Sequence, residues 1–238
     1  MKKLLSEFSG NRYKPRAIHN TAWEYRKAGR YDKADQLYQY VVDNQSGNED
    51  MMWVKTGIAR LNIALGNDAA VEKTIDILIA DFNDHPELPT AIFMLGEEYY
   101  NKAFQYENQG QEAEAKEHFR KAISVLKRII QELPASDTTP QGYCSVALCY
   151  YHLAEYEKAI DYCKKTVDNW PHYNYAWYAQ FLIADCYEKL ANSGRIPTAD
   201  AAAQIRQACE RLANHSDPRA VEAARNLSKR WNFNQNQE

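Results

Sequence analysis

The sequence is poor in the residues that interrupt helices. Only 9 glycines and 8 prolines occur among 238 residues, while alanine, glutamate, lysine, leucine and glutamine dominate long intervals. These five residue types favour helix, and glycine and proline favour it least, so the composition predicts an all-α protein. Apolar residues make up 45% of the chain and charged residues 26%, which is typical of a folded protein and not of a disordered one.

Long hydrophobic runs are also missing. No stretch approaches the roughly 18 apolar residues that a transmembrane helix requires. Residues 1–10 have the basic start of a signal peptide, but the apolar core of about seven residues or more does not follow. We therefore expect a cytoplasmic protein without membrane insertion. The alternative is a periplasmic protein from which a signal segment has been removed.

The motifs of catalysis and metal binding are absent from the sequence. The five cysteines contain no Cys-x-x-Cys pair, and the six histidines show no His-Glu-x-x-His or mixed Cys/His spacing. No P-loop, glycine-rich dinucleotide motif or Gly-x-Ser-x-Gly motif occurs. The cysteines fall on apolar helix positions, where free thiols pack as small hydrophobic groups. We expect neither disulfides nor a metal or other cofactor, and we predict that the chain is not an enzyme.

The net charge is too small to predict a nucleic-acid-binding protein. It is −3 at pH 7, and the pI is about 6.1. The charge is uneven, because residues 1–30 carry eight Lys and Arg against two acids, and residues 81–118 carry nine acids against two bases. Such blocks are usually solvated faces, and the alternative is electrostatic attraction of a partner.

One short pattern recurs five times along the chain. In each unit a small residue is followed four positions later by a large apolar one. The small positions are Ala34, Val71, Ala115, Ala159 and Ala201. The large positions are Tyr38, Ile75, Phe119, Cys163 and Ile205. A second segment with helical spacing of apolar residues precedes each occurrence, so each unit is predicted to be two short helices joined by a turn.

This pattern resembles the tetratricopeptide repeat family. The best match runs from Pro140 to Tyr173 and has Val146, Ala147, Tyr150, Tyr156, Ala159 and Pro171 in register. The resemblance implies an all-α fold, a right-handed α-α superhelix of about five helix-turn-helix repeats. The predicted repeats are residues 15–48, 52–88, 89–136, 140–173 and 175–216. A capping helix at 218–231 and a disordered tail at 232–238 would follow. Residues 173–190 also resemble repeat proteins of bacterial envelope assembly, so we expect a bacterial protein.

Both helices of the third unit are predicted to be unusually long. The small positions are 37, 44, 44 and 42 residues apart, whereas the family spacing is about 34. In the third unit Gly110 and Pro134 each come about seven residues late, which is two helical turns or about 10 Å. We expect a hairpin whose tip projects beyond its neighbours, and its role stays open. Longer loops at residues 83–89 and 134–140 account for the remaining excess.

The resemblance also implies a binding surface. In the family, the first helix of each unit lines a concave groove. The corresponding residues, with one neighbouring lysine, are Arg16, His19, Trp23, Arg26, Lys27, Trp53, Arg60, Phe93, Glu97, Tyr100 and Tyr151, and the fifth unit adds Tyr178, Phe181 and Asp185. Exposed aromatic residues and arginines are typical of binding hot spots. A groove that is basic at one end and aromatic along its length predicts a peptide partner with acids at one end and large apolar anchors. The alternative for each ring is packing beneath the neighbouring helix.

Two other features are not predicted to be binding sites. Some family members hold the acidic C-termini of heat-shock chaperones with a clamp of Lys, Asn and Arg side chains. The corresponding positions here hold His19, Trp23, Gly57, Thr90 and Met94. We therefore expect no chaperone-tail binding. The run Trp170-Pro171-His172-Tyr173 is interpreted as packing of a loop between repeats.

Together these observations predict a non-catalytic scaffold that binds a protein or peptide in its groove; the sequence does not identify the partner. Two alternatives stay open. The chain would be either a regulatory or recruiting module of a larger enzyme or cell-envelope assembly, or a self-associating structural element. In the second case the basic N-terminal end of one copy would meet the acidic third unit of another, and high salt would weaken the contact.

Overall fold

The computed structural model describes residues 15–44 and 50–233, and α-helices without any strand occupy these ranges. The helices, in chain order, are α1 (Pro15–Lys27), α2 (Tyr31–Asn44), α3 (Met51–Leu65), α4 (Asp68–Phe82), α5 (Leu88–Asn108), α6 (Glu112–Gln131), α7 (Thr139–His152), α8 (Tyr156–Asn169), α9 (Ala176–Asn192), α10 (Thr198–Ala213) and α11 (Pro218–Arg230). The predicted all-α class is confirmed.

The helices form five hairpins with short turns, and α11 follows them. A residue in the left-handed conformation lies in each turn, because the chain must reverse within a few residues. It is glycine in four hairpins, at Gly29, Gly66, Gly110 and Gly194, with φ between 70° and 79°. In the α7–α8 turn it is Ala154, with φ of 57°. This side-chain-bearing residue adopts the same left-handed conformation as the four glycines.

The recurring sequence pattern corresponds to the buried stripe on the second helix of each hairpin. The five small positions are at most 3% exposed, and the five large positions are at most 1% exposed. Small side chains let packed helix backbones approach closely, and the large ones fill the space one turn further on. Burying each large apolar side chain contributes about 2–3 kcal/mol.

The described chain forms two compact units. The first ends at Glu98 and the second begins at Tyr99, so the boundary falls inside α5. We call them the N-terminal unit, which contains α1 to α4 and the first half of α5, and the C-terminal unit, which contains the remainder. In the N-terminal unit α1 packs against both α2 and α3. In the C-terminal unit each helix from α6 to α10 packs against the next.

The third hairpin is lengthened on both sides, as predicted. Helices α5 and α6 contain 21 and 20 residues. The other described helices contain 13 to 17. The apolar stripe of α6 is buried without interruption through Phe119, Ala122, Leu126 and Ile129. Equal lengthening of the two helices accounts for most of the wide repeat spacing.

Helix α11 ends the described helical array. Asp217 is its N-cap, and its Oδ1 accepts a hydrogen bond of 2.9 Å from the backbone N–H of Arg219. Hydrogen bonds from Arg219 lower the pKa of Asp217 to about 2. Ala220, Ala224 and Leu227 form its buried stripe. Of the predicted tail, residues 234–238 lie outside the described residues, whereas Phe233 lies 4.5 Å from the guanidinium of Arg206.

Candidate functional site

Two arginines from different helices bind one carboxylate in the N-terminal unit. Arg26 Nη1 on α1 donates to Glu98 Oε1 at 2.7 Å. Arg60 on α3 donates to Glu98 Oε2 from Nη2 at 2.6 Å and from Nε at 2.8 Å. The three side chains are only 9%, 10% and 20% exposed, in the order Arg26, Arg60, Glu98. Helices α1, α3 and α5 are the first helices of their hairpins. The three charged side chains therefore lie on the face of the N-terminal unit that these first helices form.

The indole ring of Trp23 packs against both guanidinium groups. The Cζ atom of Arg60 lies 3.7 Å from the ring centroid, and that of Arg26 lies 4.6 Å from it. Both contacts are within cation–π distance, and partial burial strengthens them, so each contributes about 1–2 kcal/mol. Trp23 itself is half-buried. Aromatic and guanidinium groups in one partly buried cluster are the combination most typical of a binding hot spot.

The cluster carries more positive than negative charge. Burial lowers the pKa of Arg60, and the carboxylate of Glu98 opposes that effect. An arginine keeps its proton at neutral pH all the same, because its ordinary pKa is above about 12. Two guanidinium groups therefore share one carboxylate. The Nε of Arg26 is buried and has no hydrogen-bond partner among the described residues.

His19 and Tyr38 extend this cluster with buried polar atoms. The His19 ring lies 6.5 Å from Trp23 and 5.9 Å from Tyr38, centroid to centroid. Burial, and next the charge of Arg60, lower the pKa of His19 to about 4, so the ring is neutral at pH 7. His19 Nδ1 and the Tyr38 hydroxyl are buried and form no hydrogen bond within the described part of the chain.

The remaining predicted groove residues of this unit differ in exposure. Arg16, Lys27 and Glu97 are exposed, and Trp53 is half-buried with its Nε1 donating to Glu87 Oε2 at 3.3 Å. Phe93 is buried, with 8% exposure, and belongs to the core. The sequence pointed to Glu97, while the carboxylate that joins the two arginines belongs to the next residue, Glu98. A helix turns by about 100° per residue, so adjacent positions face different directions.

In the C-terminal unit the predicted residues Tyr100 and Tyr151 are held by other side chains. The Tyr100 hydroxyl and His152 Nε2 are 3.2 Å apart, and burial raises the pKa of Tyr100 to about 12. The Tyr151 hydroxyl donates a short hydrogen bond to Asp185 Oδ2 on α9. These bonds link the first helices of three successive hairpins within the unit.

His152, the centre of this second cluster, was not predicted from the sequence. Its ring stacks on Phe119 with centroids 4.7 Å apart and an interplanar angle of 11°. Its Nδ1 lies 3.0 Å from Glu107 Oε2. Phe104 packs edge-on against the same ring and is 44% exposed. The spacing of Tyr100, Phe104 and Glu107 at i, i+4 and i+7 on a lengthened helix was the signal that could have indicated them.

Helices α9 and α11 enclose an open pocket of about 410 Å³ in the C-terminal unit. Its lining residues are Trp177, Tyr178, Phe181, Arg219, Glu222, Ala223, Asn226, Leu227 and Arg230. The guanidinium of Arg219 lies 5.1 Å from the Trp177 ring centroid. Two predicted groove aromatics, Tyr178 and Phe181, thus line one side of this open pocket.

The described residues contain no cluster that could bind a metal ion: no group of three or more His, Cys, Asp and Glu has suitable geometry. The five cysteines are free thiols, and four of them are buried. Across residues 15–44 and 50–233, no helix combines the length and the hydrophobicity that crossing a membrane requires.

Comparison with known proteins agrees with the sequence pattern. Two family models, both described as tetratricopeptide repeat, match residues 97–125 and 146–173. The first match lies in the α5–α6 hairpin and the second in α7–α8. A search of curated protein sequences finds no match.

Several solved structures are similar to this chain at low sequence identity. One contains the TPR-like repeats of a putative kinesin light chain from Podospora anserina, with 17% identity, a TM-score of 0.46 and coverage of 83% of this chain and 94% of that one. Another is a thermophilic TPR protein from Thermus thermophilus, with 19% identity, a TM-score of 0.43 and coverage of 92% and 98%. A third is PilW, a type IV pilus biogenesis factor, with 14% identity, a TM-score of 0.38 and coverage of 94% of both chains.

Proposed function

Because the chain belongs to the tetratricopeptide repeat family, whose repeats serve as protein-interaction scaffolds, we propose that it binds an acidic peptide segment of a partner protein. The binding surface is the face of the N-terminal unit that carries Trp23, Arg26 and Arg60. In this proposal the chain itself performs no catalysis. Its function is to hold one protein in place, and the partner is recognised by charge and by large apolar side chains.

The observation that carries the proposal is the excess of positive charge around Trp23. Two guanidinium groups stack on one indole, and a single carboxylate, Glu98, is shared between them. Arg26 Nε is fully buried, so a partner would meet the exposed cations beside the pair and not this atom. A carboxylate from a partner that approaches Arg16 and Lys27 would offset the excess of positive charge on this face, and hydrogen bonds between guanidinium and carboxylate are among the stronger ones in proteins.

The side chains around the cluster also favour an acidic ligand with a large apolar residue. Arg16 and Lys27 are exposed on α1 and attract a negatively charged segment before contact is made. Trp23 and Trp53 are half-buried, so each still offers part of its ring to a partner's apolar side chain. We therefore infer a ligand with Asp or Glu at one end and an aromatic or large aliphatic residue next to it.

Peptide selection tests this proposal even though the partner is unidentified. Random 12-residue peptides displayed on phage are selected against the folded protein, and the recovered peptides are synthesised and measured by fluorescence anisotropy. We expect recovered sequences that are rich in Asp and Glu, and affinities that fall as salt is added. Selection of neutral or basic peptides would contradict the proposal.

Charge reversal on α1 locates the surface. The variant Arg16→Glu reverses one exposed charge and should bind the selected peptides about threefold more weakly, mainly through slower association. Lys73→Glu is the matched control, because Lys73 is exposed on α4, the second helix of its hairpin. Equal loss in both variants would place the binding surface elsewhere. Sedimentation velocity at low and high salt on the same samples distinguishes peptide binding from self-association.

A further inference from the structure

A second pocket lies in the loops between hairpins of the C-terminal unit, and none of its lining residues belongs to the proposed peptide surface. The loop before α7 and the loop before α9 enclose an open pocket of about 530 Å³. The lining residues are Ser136, Asp137, Pro140, Asn169, Trp170, Pro171, His172, Tyr173 and Asn174. The first of these loops belongs to the segment 134–140, one of the two lengthened loops that widen the repeat spacing.

Both loops are held in place by their own hydrogen bonds. Ser136 N–H donates to Thr139 Oγ1 at 2.8 Å, and Thr139 N–H donates to Ser136 O at 3.0 Å. On the other side, Tyr173 N–H donates to Trp170 O at 3.0 Å, and Ala176 N–H donates to Tyr173 O at 2.8 Å. A ligand therefore meets a pocket that is already formed, and binding requires little ordering of the chain.

The apolar part of the pocket is aromatic. Trp170 packs against Tyr143 with ring centroids 5.3 Å apart, and it stays half-buried, so part of the ring borders the pocket. Tyr173 is also half-buried and lies beside the Tyr175 ring, 5.8 Å away. The sequence predicted loop packing for this run, and Trp170 does pack against its own repeat. The faces of aromatic rings carry negative potential and attract cations.

The polar part of the pocket consists mainly of unused acceptors. Asp137 is the only Asp, Glu, Lys or Arg among the described lining residues. Its carboxylate forms no hydrogen bond or ion pair with the described chain, and neither does the amide of Asn174. Asn169 donates its Nδ2 to Lys165 O at 2.8 Å, which leaves its Oδ1 as an acceptor. The side chains of Asp137, Asn169 and Asn174 thus border the pocket together with the aromatic rings, and no lysine or arginine of the described chain lines it.

We propose that this pocket binds an arginine side chain presented by a partner protein. A guanidinium group has five N–H donors in one plane, which suits a carboxylate beside amide oxygens, and its flat face packs on an aromatic ring. Asp137 pairs with the charge, and Trp170 and Tyr173 contact the face and the methylene chain. A lysine offers one compact charge and uses fewer of the acceptors. Asp137 would repel an anion, and no lysine or arginine of the described chain lines the pocket to offset that repulsion.

Short capped peptides test the chemistry directly. The probes are acetyl-Gly-Arg-Gly-amide, the same peptide with citrulline, and the same peptide with lysine. Citrulline keeps the shape of arginine and removes its charge. Binding is followed by NMR through the Trp170 indole N–H signal, which is assigned with Trp170→Phe. We expect the arginine peptide to bind about tenfold more tightly than the citrulline peptide and measurably more tightly than the lysine peptide. Equal binding of arginine and citrulline would overturn the proposal.

Two carboxylate variants locate the site. Asp137→Asn should weaken the arginine peptide about fivefold, because the ion pair is solvent-accessible. Asp161→Asn is the control, since Asp161 is an exposed carboxylate on α8 that does not line the pocket. Equal effects of the two substitutions would refute a role for Asp137. Free L-arginine is the last probe. If the free amino acid bound more tightly than the capped peptide, the guanidinium group would not come from a protein partner.

Discussion

Gly57 of α3 lies directly against the phenol ring of Tyr38 of α2. A methyl group in place of the Gly57 hydrogen would come within 2.4 Å of the Tyr38 hydroxyl oxygen and 2.6 Å of its Cζ. A Cβ atom essentially never lies closer than 3.0 Å to a non-bonded heavy atom. Tyr38 is completely buried, so its ring cannot turn out into solvent to make room. The missing side chain at position 57 therefore creates the space that the tyrosine occupies.

We predict that Gly57→Ala destabilises the protein. Alanine has the higher helix propensity, by about 1 kcal/mol, but the clash with Tyr38 should outweigh that gain and lower the free energy of unfolding by about 2 kcal/mol. Gly142→Ala on α7 is the control, because its new methyl group would lie 3.8 Å from the nearest atoms, an ordinary contact. That variant should be stabilised by about 0.5–1 kcal/mol. Urea unfolding followed by circular dichroism measures both, and a stabilised Gly57→Ala would refute the clash.

Removal of Glu98 should be far more damaging than removal of its neighbour. Glu98→Ala leaves two largely buried guanidinium groups without their shared carboxylate, and we expect a loss of about 3 kcal/mol in the free energy of unfolding. Glu97→Ala removes an exposed carboxylate on the same helix and should cost less than about 0.5 kcal/mol. Similar unfolding midpoints in urea for the two variants would show that the arginine pair does not depend on Glu98.

His19 should make the protein sensitive to mild acid. Its pKa is 6.5 in the unfolded chain and about 4 in the folded one, because burial disfavours the charged ring. The unfolded state therefore binds the proton first as pH falls, so stability is present above about pH 6.5 and is lost between there and about pH 4. The loss from this residue is about 3 kcal/mol between pH 7 and pH 4. His19→Gln cannot titrate, so the difference in unfolding free energy between wild type and variant should change by that amount between pH 7 and pH 4. A constant difference would contradict the prediction.

The five thiols should be unreactive until the protein unfolds. Burial raises the pKa of Cys144 to about 11 and that of Cys186 to about 12, so little thiolate is present at pH 8. With Ellman's reagent we expect five equivalents to react rapidly in guanidinium chloride and at least about 100-fold more slowly in the native protein. Rapid reaction of one equivalent under native conditions would mean that a cysteine is more accessible than the structure indicates.

The burial pattern inside each hairpin could be predicted from the sequence because it is local. Ala34 and Tyr38 are four residues apart on one helix, and their burial follows from helical geometry and hydrophobicity alone. The lengthened third hairpin followed from the late positions of Gly110 and Pro134. In both cases the required information lies within one repeat.

The contacts between hairpins could not be predicted in the same way. Arg26, Arg60 and Glu98 come from three helices, and their meeting depends on how those helices rotate about their axes. Glu97 is exposed, whereas Glu98 binds both arginines. An error of one residue in the predicted helix orientation therefore selects the wrong carboxylate. His152 was missed for the same reason, since its partners Phe119 and Glu107 lie in another hairpin. The repeat pattern specifies which helix face is apolar and leaves the polar pairing to the tertiary packing.

The left-handed conformation of Ala154 indicates one way to make the protein more stable. An alanine in that conformation costs about 1–2 kcal/mol, and Arg195 Nη1 donates to its carbonyl oxygen at 3.2 Å. The hairpin with the most regular sequence thus contains the most strained turn, and the packing of α7 against α8 must overcome that strain. Ala154→Gly should raise the thermal midpoint by a few degrees, about 0.5–1 kcal/mol of stability, without touching either candidate binding surface. The hairpin that matches the repeat pattern best is therefore also the one in which loss of a single methyl group, in Ala154→Gly, should stabilise the protein.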